Sequence, residues 1–247
     1  MMSTTKPRVS ADLERRWYHY LAGALPFAML ATLGIIYAIS PQFYLEYIIY
    51  WKQRENQAVE FITFTSAIVG AALLLVVVAR LSRQPATRHQ YWLGVLGITV
   101  IAAAALFFAG EEVSWGQHWF GWQTPDEYRD LSVETNLHNT DIPVQSLGSV
   151  FILLVFIALP IAWRFRDRLN LPGGLEPMIA EPPIVVCTIV GFIWKEFKNL
   201  YHVLVPDYED VSFYIDFVEQ INEHKEMLIA VALLLYGVYR LRWWRVG

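Results

Sequence analysis

The stretch Gly110-Glu111-Glu112-Val113-Ser114-Trp115-Gly116-Gln117-His118-Trp119 gathers two carboxylates, a hydroxyl and an imidazole within ten residues. That inventory suits two chemistries. Neutral imidazole and carboxylate ligate zinc, iron or manganese, and a divalent metal with an open position activates water for hydrolysis. Without a metal, a crowded pair such as Glu111 and Glu112 can divide acid and base roles between them. If the helix ending here continues past Gly110, then Glu111, Ser114 and His118 fall at i, i+3 and i+7 on one face. Glu112, Trp115 and Trp119 then share the adjacent face. Glu111, Glu112, Ser114 and His118 are therefore the candidate catalytic residues.

Other candidate ligands lie further along the chain. Glu134 and His138 are four apart, a workable pair on a helix. Asp216, Glu219, Glu223 and Glu226 fall at i, i+3, i+7 and i+10, an acidic stripe beside His224. The candidate metal ligands are His118, His138, Glu134, Glu223 and His224. No segment has the specificity of a His-Glu-x-x-His motif, so the expectation rests on clustering. No cofactor other than a divalent metal is implied.

The elements that position these residues are apolar helices. The chain is 55% hydrophobic and 15% aromatic with 17% charged residues, and its mean hydropathy is +0.35. Such values suit a multi-pass membrane protein. Six spans are expected, at about 20–40, 59–79, 91–110, 147–163, 183–201 and 227–244, in one integral-membrane domain covering 1–247. The fifth is the weakest, because Lys195, Glu196 and Lys198 fall inside it. Pro182-Pro183 suits a helix start, and Pro172-Gly173-Gly174 suits a turn. The single cysteine, Cys187, rules out an intrachain disulfide and a Cys-rich metal site. Nothing is basic in the manner of a nucleic-acid binder. The polar N-terminal stretch lacks an apolar signal-peptide core, so the first span is expected to direct insertion.

Charge asymmetry orients the bundle. With both termini cytoplasmic, the inside segments hold 13 of the 19 Lys/Arg, whereas the outside segments hold 18 of the 23 acids. That is the distribution the positive-inside rule asks for. The chain is thus expected in the plasma (inner) membrane, with extracytoplasmic loops 41–58, 111–146 and 202–226. Phe43, Tyr44, Tyr47, Tyr50, Trp51, Trp115, Trp119 and Trp122 are expected to form an outer interfacial belt. Glu60, Glu111–Glu112, Glu196 and Glu223–Glu226 bring carboxylates from four helices to similar depth. Ionisable groups there must face each other, water or a ligand, not lipid.

At Gly110–His118 and Glu134–Asn139 the chain resembles an uncharacterised group of bacterial multi-pass membrane proteins. These share a Gly-Glu-Glu-x-Ser-Trp-Gly-Gln block followed by Asn-Leu-His-Asn; the resemblance implies a membrane fold and no activity. Ser114-x-x-x-His118 is also similar to the serine–histidine element of the alkaline ceramidase-like membrane metallohydrolases. That resemblance implies a zinc amidase site built from a Ser, an Asp and three His in a seven-helix bundle. The closing His-x-x-x-His pair of that family is absent here, and six spans are read, not seven.

Three functions follow from the residues. The first is a metal-assisted hydrolase or transferase acting at the outer leaflet on a lipid or lipid-linked substrate. The second is a non-catalytic subunit docking a membrane protein partner through its acidic face. The third is a cation- or proton-coupled transporter.

Overall fold

The computed structural model describes residues 8–49, 58–83, 91–121, 144–205 and 212–243. Every regular element there is helical, and no strand occurs among the described residues. In chain order the long helices are α1 (Arg8–Ile39), α2 (Ala58–Ser82) and α3 (Trp92–Glu112). Helix α4 runs as Val144–Leu153, a π-helical turn Leu154–Ala158 and Leu159–Arg164. Helices α5 (Pro182–Leu204) and α6 (Ile221–Arg242) complete the bundle.

Among the described residues, four helices are long and apolar enough to cross a membrane. They supply Leu13–Ile39, Ala58–Ser82, Trp92–Glu112 and Ser146–Arg164, with mean hydropathies of 1.9, 2.5, 2.3 and 2.3. The expected spans sit on them, although the first helix starts well before residue 20. Helices α5 and α6 match them in length and carry more charge. Pro182 and Pro183 occupy the first turn of α5, where the missing N–H costs nothing.

Helix α6 is the centre of the bundle, with fifteen of its 22 residues buried. It packs most extensively on α2 and next on α5. The α2–α6 crossing is made by two glycines. A Cβ on Gly70 would lie 2.9 Å from the backbone of Leu233 and Leu234, and one on Gly237 would lie 2.9 Å from Gly70 O. Small residues let helix backbones approach where lipid offers no hydrophobic drive for association. Around this crossing, Ala71, Leu74, Ile98, Ala102, Leu228, Ala232 and Tyr236 form the main core. Because α6 is shielded by its neighbours, it can carry His224, Lys225, Glu226 and Arg240 buried. Hydropathy alone therefore underrates it.

The helices alternate in direction, so the bundle has two polar ends. At one end lie the start of α1 and the end of α6. There Arg15 donates to Tyr239 Oη (2.5 Å) and pairs with Glu181 (3.6 Å), while Tyr18 Oη donates to Leu235 O (2.7 Å). The turn after Pro172 becomes a 3-10 helix, Gly173–Met178, that packs under α3 and is not simply a solvated loop. Tyr236 Oη donates to Pro177 O (3.0 Å), and Arg240 donates to Ile179 O.

At the other end, two expected loops contain structure. Residues Pro41–Phe43 form a helical turn capped by Ser40 Oγ, which accepts from the Phe43 N–H (3.3 Å), and a π-helical turn Tyr44–Ile48 follows. This places Tyr44 and Ile49 in a second core with Phe217 and Met227. Tyr44 is thus a core residue, not part of an interfacial belt, whereas Phe43, Tyr47 and Trp115 remain exposed. Within 202–226, α5 continues to Leu204 and α6 already begins at Ile221.

Candidate functional site: a carboxylate cluster at the head of an apolar slot

The end of α3 is set by its backbone. Ser114 and Trp115 adopt φ of 45° and 55°, and Gly116 follows at 79°. Consecutive left-handed residues cannot continue a right-handed helix, and two of these carry side chains, so the turn is strained. A helix resumes only at Gln117–Phe120. The expected single face of Glu111, Ser114 and His118 is therefore not formed. It required an unbroken helix, and the left-handed turn breaks it.

The turn separates the two glutamates. Trp115 folds back over Gly110, whose missing Cβ would sit 2.8 Å from the indole, and its Nε1–H donates to Glu111 Oε1 (2.5 Å). Its ring meets Phe107 edge-on at 5.6 Å. Glu111 and Ser114 are buried in this structure. Glu112 takes the other direction, toward α6. There one carboxylate oxygen each from Glu112, Glu223 and Glu226 lies within 4.8 Å of the others. Glu60, at the start of α2, is near enough for its charge to act on Glu112. Lys225 Nζ lies 3.6 Å from Glu226 Oε1, and its side chain is only 2% exposed.

The carboxylates thus come from three helices, not four. Glu196 on α5 is exposed and accepts from Asn199 Nδ2 (2.8 Å), so it stays outside the cluster. The acidic stripe is also interrupted. A π-helical turn at Tyr214–Val218 and the break before Ile221 leave Glu219 exposed, while Glu223 and Glu226 turn inward.

His224 is corrected as a metal ligand. It is fully buried, and both ring nitrogens are engaged. Trp194 Nε1–H donates to Nδ1 (3.2 Å), which forces the proton onto Nε2, and Nε2–H then donates to Tyr44 Oη at 2.6 Å. His224 therefore ties α5 and the Tyr44 turn to the head of α6. Glu223 is retained among the ligand candidates. The backbone of His118 is described but its side chain is not, and Glu134 and His138 lie outside the described residues.

Sequence reasoning passed over Lys225, Trp194 and the inward role of Tyr44. It placed Glu226 in the stripe without choosing it. The spacing Glu223-x-x-Glu226, one helical turn apart on the helix that faces Glu112, was the available signal.

Below the cluster a cavity of about 390 Å³ runs between α3, α4 and α6. Ile101, Ala105, Ile229 and Leu233 wall its apolar length, and Glu111, Glu112, Lys225 and Glu226 line its head. Helix α4 closes the third side with Leu147, Gly148, Phe151 and Ile152. The N-terminal half of α4 stands off α3 and α6, and this gap is the cavity. Three carboxylate oxygens form a hard donor set, suited to Mg²⁺ or Mn²⁺. No family model, curated protein or solved structure matches this chain.

Proposed function

We propose that the protein is a six-span enzyme of the plasma membrane with both termini cytoplasmic, acting from the outer leaflet on a lipid or lipid-linked substrate. The observation that carries this reading is the convergence of Glu112, Glu223 and Glu226 at the head of an apolar cavity. Polar groups meeting at one end of an apolar pocket are what a binding site for an amphiphile requires. Helices α5 and α6 complete the six spans; α6 tolerates its charges because its neighbours, not lipid, surround it. The excess of Lys/Arg at the opposite end supports the orientation.

In this reading Glu112, Glu223 and Glu226 hold a divalent cation, with Mn²⁺ or Mg²⁺ favoured over zinc by the all-oxygen donor set. The cation supplies Lewis-acid polarisation of the bond to be cleaved or transferred. Lys225 offers an ammonium to an anionic part of the substrate, and Glu111 is held aside by Trp115.

Mn²⁺ titration of the purified full chain, read by electron paramagnetic resonance, tests this directly. Stoichiometric binding is expected in the wild type and its loss in Glu112→Gln and Glu226→Gln. No Mn²⁺ or Mg²⁺ binding, together with unchanged cellular fitness of both variants, would overturn the enzyme reading in favour of a non-catalytic subunit.

A further inference from the structure

The shape of the cavity says more about the substrate than its volume does. Its lining on α3 extends from Ile101 to Glu112, about 16 Å at 1.5 Å per residue. On α6 the wall runs in register from Lys225 and Glu226 through Ile229 to Leu233, each about one turn deeper. The space is therefore a slot parallel to the helix axes, charged at its head and apolar below. At about 390 Å³ it lies near the lower limit of ligand pockets, which span about 300–1,000 Å³. Small residues keep it open: Ala104 and Ala105 on α3 and Gly148 on α4.

The head of the slot has a mixed character. Glu111, Glu112 and Glu226 contribute acid, but Lys225 lines the same space, with its ammonium 3.6 Å from Glu226 Oε1. An ammonium held beside a carboxylate-bound divalent cation suits a phosphate, because Mg²⁺-type sites complete their coordination with substrate phosphate oxygens. The sides of the slot connect to the outer surface of the bundle, since Phe107 and Leu147 line it and are themselves exposed.

We infer that the ligand of this slot is a single-chain lipid phosphate. Its hydrocarbon chain lies along the helix axes between α3, α4 and α6, and its phosphate sits at Lys225 and the carboxylate cluster. This rests on the cation-binding reading above for the head group only; the one-chain assignment stands on the cavity. The chain enters sideways from the bilayer past the N-terminal half of α4, which stands off α3 and α6. Helix α4 rejoins the bundle at its π-helical turn, where Val155 and Phe156 are buried.

Gly148 provides the test. Gly148 lines the slot and a Cβ there meets nothing within 4 Å, so Gly148→Leu puts bulk on the α4 wall with no clash at its Cβ. Native mass spectrometry of the full chain in detergent, with Mn²⁺ present, would compare three probes. These are oleoyl lysophosphatidic acid, dioleoyl phosphatidic acid and monoolein. The single-chain phosphate is expected to bind at least about tenfold more tightly than either of the others. Gly148→Leu is expected to weaken it by about tenfold or more while leaving Mn²⁺ binding intact. Ala105→Leu, which fills the slot from α3, is expected to do the same. Equal binding of the two-chain lipid, or binding unaffected by both variants, overturns the one-chain slot. Equal binding of monoolein overturns the phosphate. Retained chain binding with no Mn²⁺ bound in any variant refutes the cation-dependent function and leaves the slot standing.

Discussion

Helix α6 buries charge near both of its ends, and the two ends handle it differently. At the C-terminal end Arg240 donates to the backbone carbonyl of Ile179 and lies over the rings of Tyr236 (5.3 Å) and Tyr239 (5.7 Å). Its partners are neutral, fixed and built into the fold, whereas Arg15 bonds the Tyr239 hydroxyl, lies over its ring and adds an ion pair with Glu181. At the N-terminal end like charges converge. Two carboxylates 4.8 Å apart and ionised repel by about 3 kcal/mol at an effective dielectric of about 20. The Lys225 ammonium offsets part of this repulsion, and under the proposed function a bound cation offsets the rest. The comparison teaches which end is structural and which can respond to a ligand. The Arg240 charge rests on one carbonyl and two aromatic faces, with its Nε left unpartnered among the described residues, whereas converging carboxylates change state with what binds them.

The sharpest way to break this contrast is Lys225→Met. Removing one partner of a buried ion pair strands the other, so we expect a loss of about 3–5 kcal/mol in detergent unfolding. Adding Glu226→Gln should recover much of it, which a double-mutant cycle would show. A simple sum of the two effects would mean the acidic end is not coupled. Arg240→Met should cost about 2–3 kcal/mol through the lost carbonyl bond and ring contacts, with no dependence on Mn²⁺. Sensitivity of that variant to Mn²⁺ would contradict the division of labour between the ends. Tyr236→Phe removes the bond to Pro177 O and the hydroxyl contact with Arg240 and should cost about 1–2 kcal/mol, read as a small drop in thermal midpoint. The smallest effect is expected from Glu14→Gln. Glu14 pairs with Arg242 on a half-exposed surface, so a change under about 1 kcal/mol that fades with salt is the expected result.

Much of the frame was legible in the sequence. The four apolar helices, the Pro182-Pro183 start of α5 and the unusual position of Glu111-Glu112 could all be read from residue type and spacing. The details of the site could not. Of the three left-handed residues after α3 only Gly116 announces itself; Ser114 and Trp115 do not, yet they decide that Glu111 meets Trp115 while Glu112 meets α6. Glu196 lies at a suitable depth on α5 but points outward, because depth follows from residue number and azimuth follows from packing. His224 has the chemistry of a ligand, and only its two neighbours, Trp194 and Tyr44, show that its nitrogens are already used. Lys225 drew no reading from the sequence, because nothing in its position sets one lysine beside an acidic stripe apart. Its stem lies against α5, where a Cβ on Gly191 would come within 3.8 Å of Lys225 Cγ.

The central position of α6 also bears on how the protein is made. Ionisable groups are costly wherever lipid would surround them, and α6 carries Glu223, Lys225, Glu226, Arg240 and Arg242 near its two ends. Such a segment gains little from lipid and much from a protein groove. Helices α2, α3 and α5, all synthesised before it, form that groove, and Gly70 leaves the space that Leu233 and Gly237 occupy. Helix α6 is in this sense a late passenger. Its charged head is buried against protein, and the carboxylate cluster there is complete only once α6 has packed beside α2 and α3.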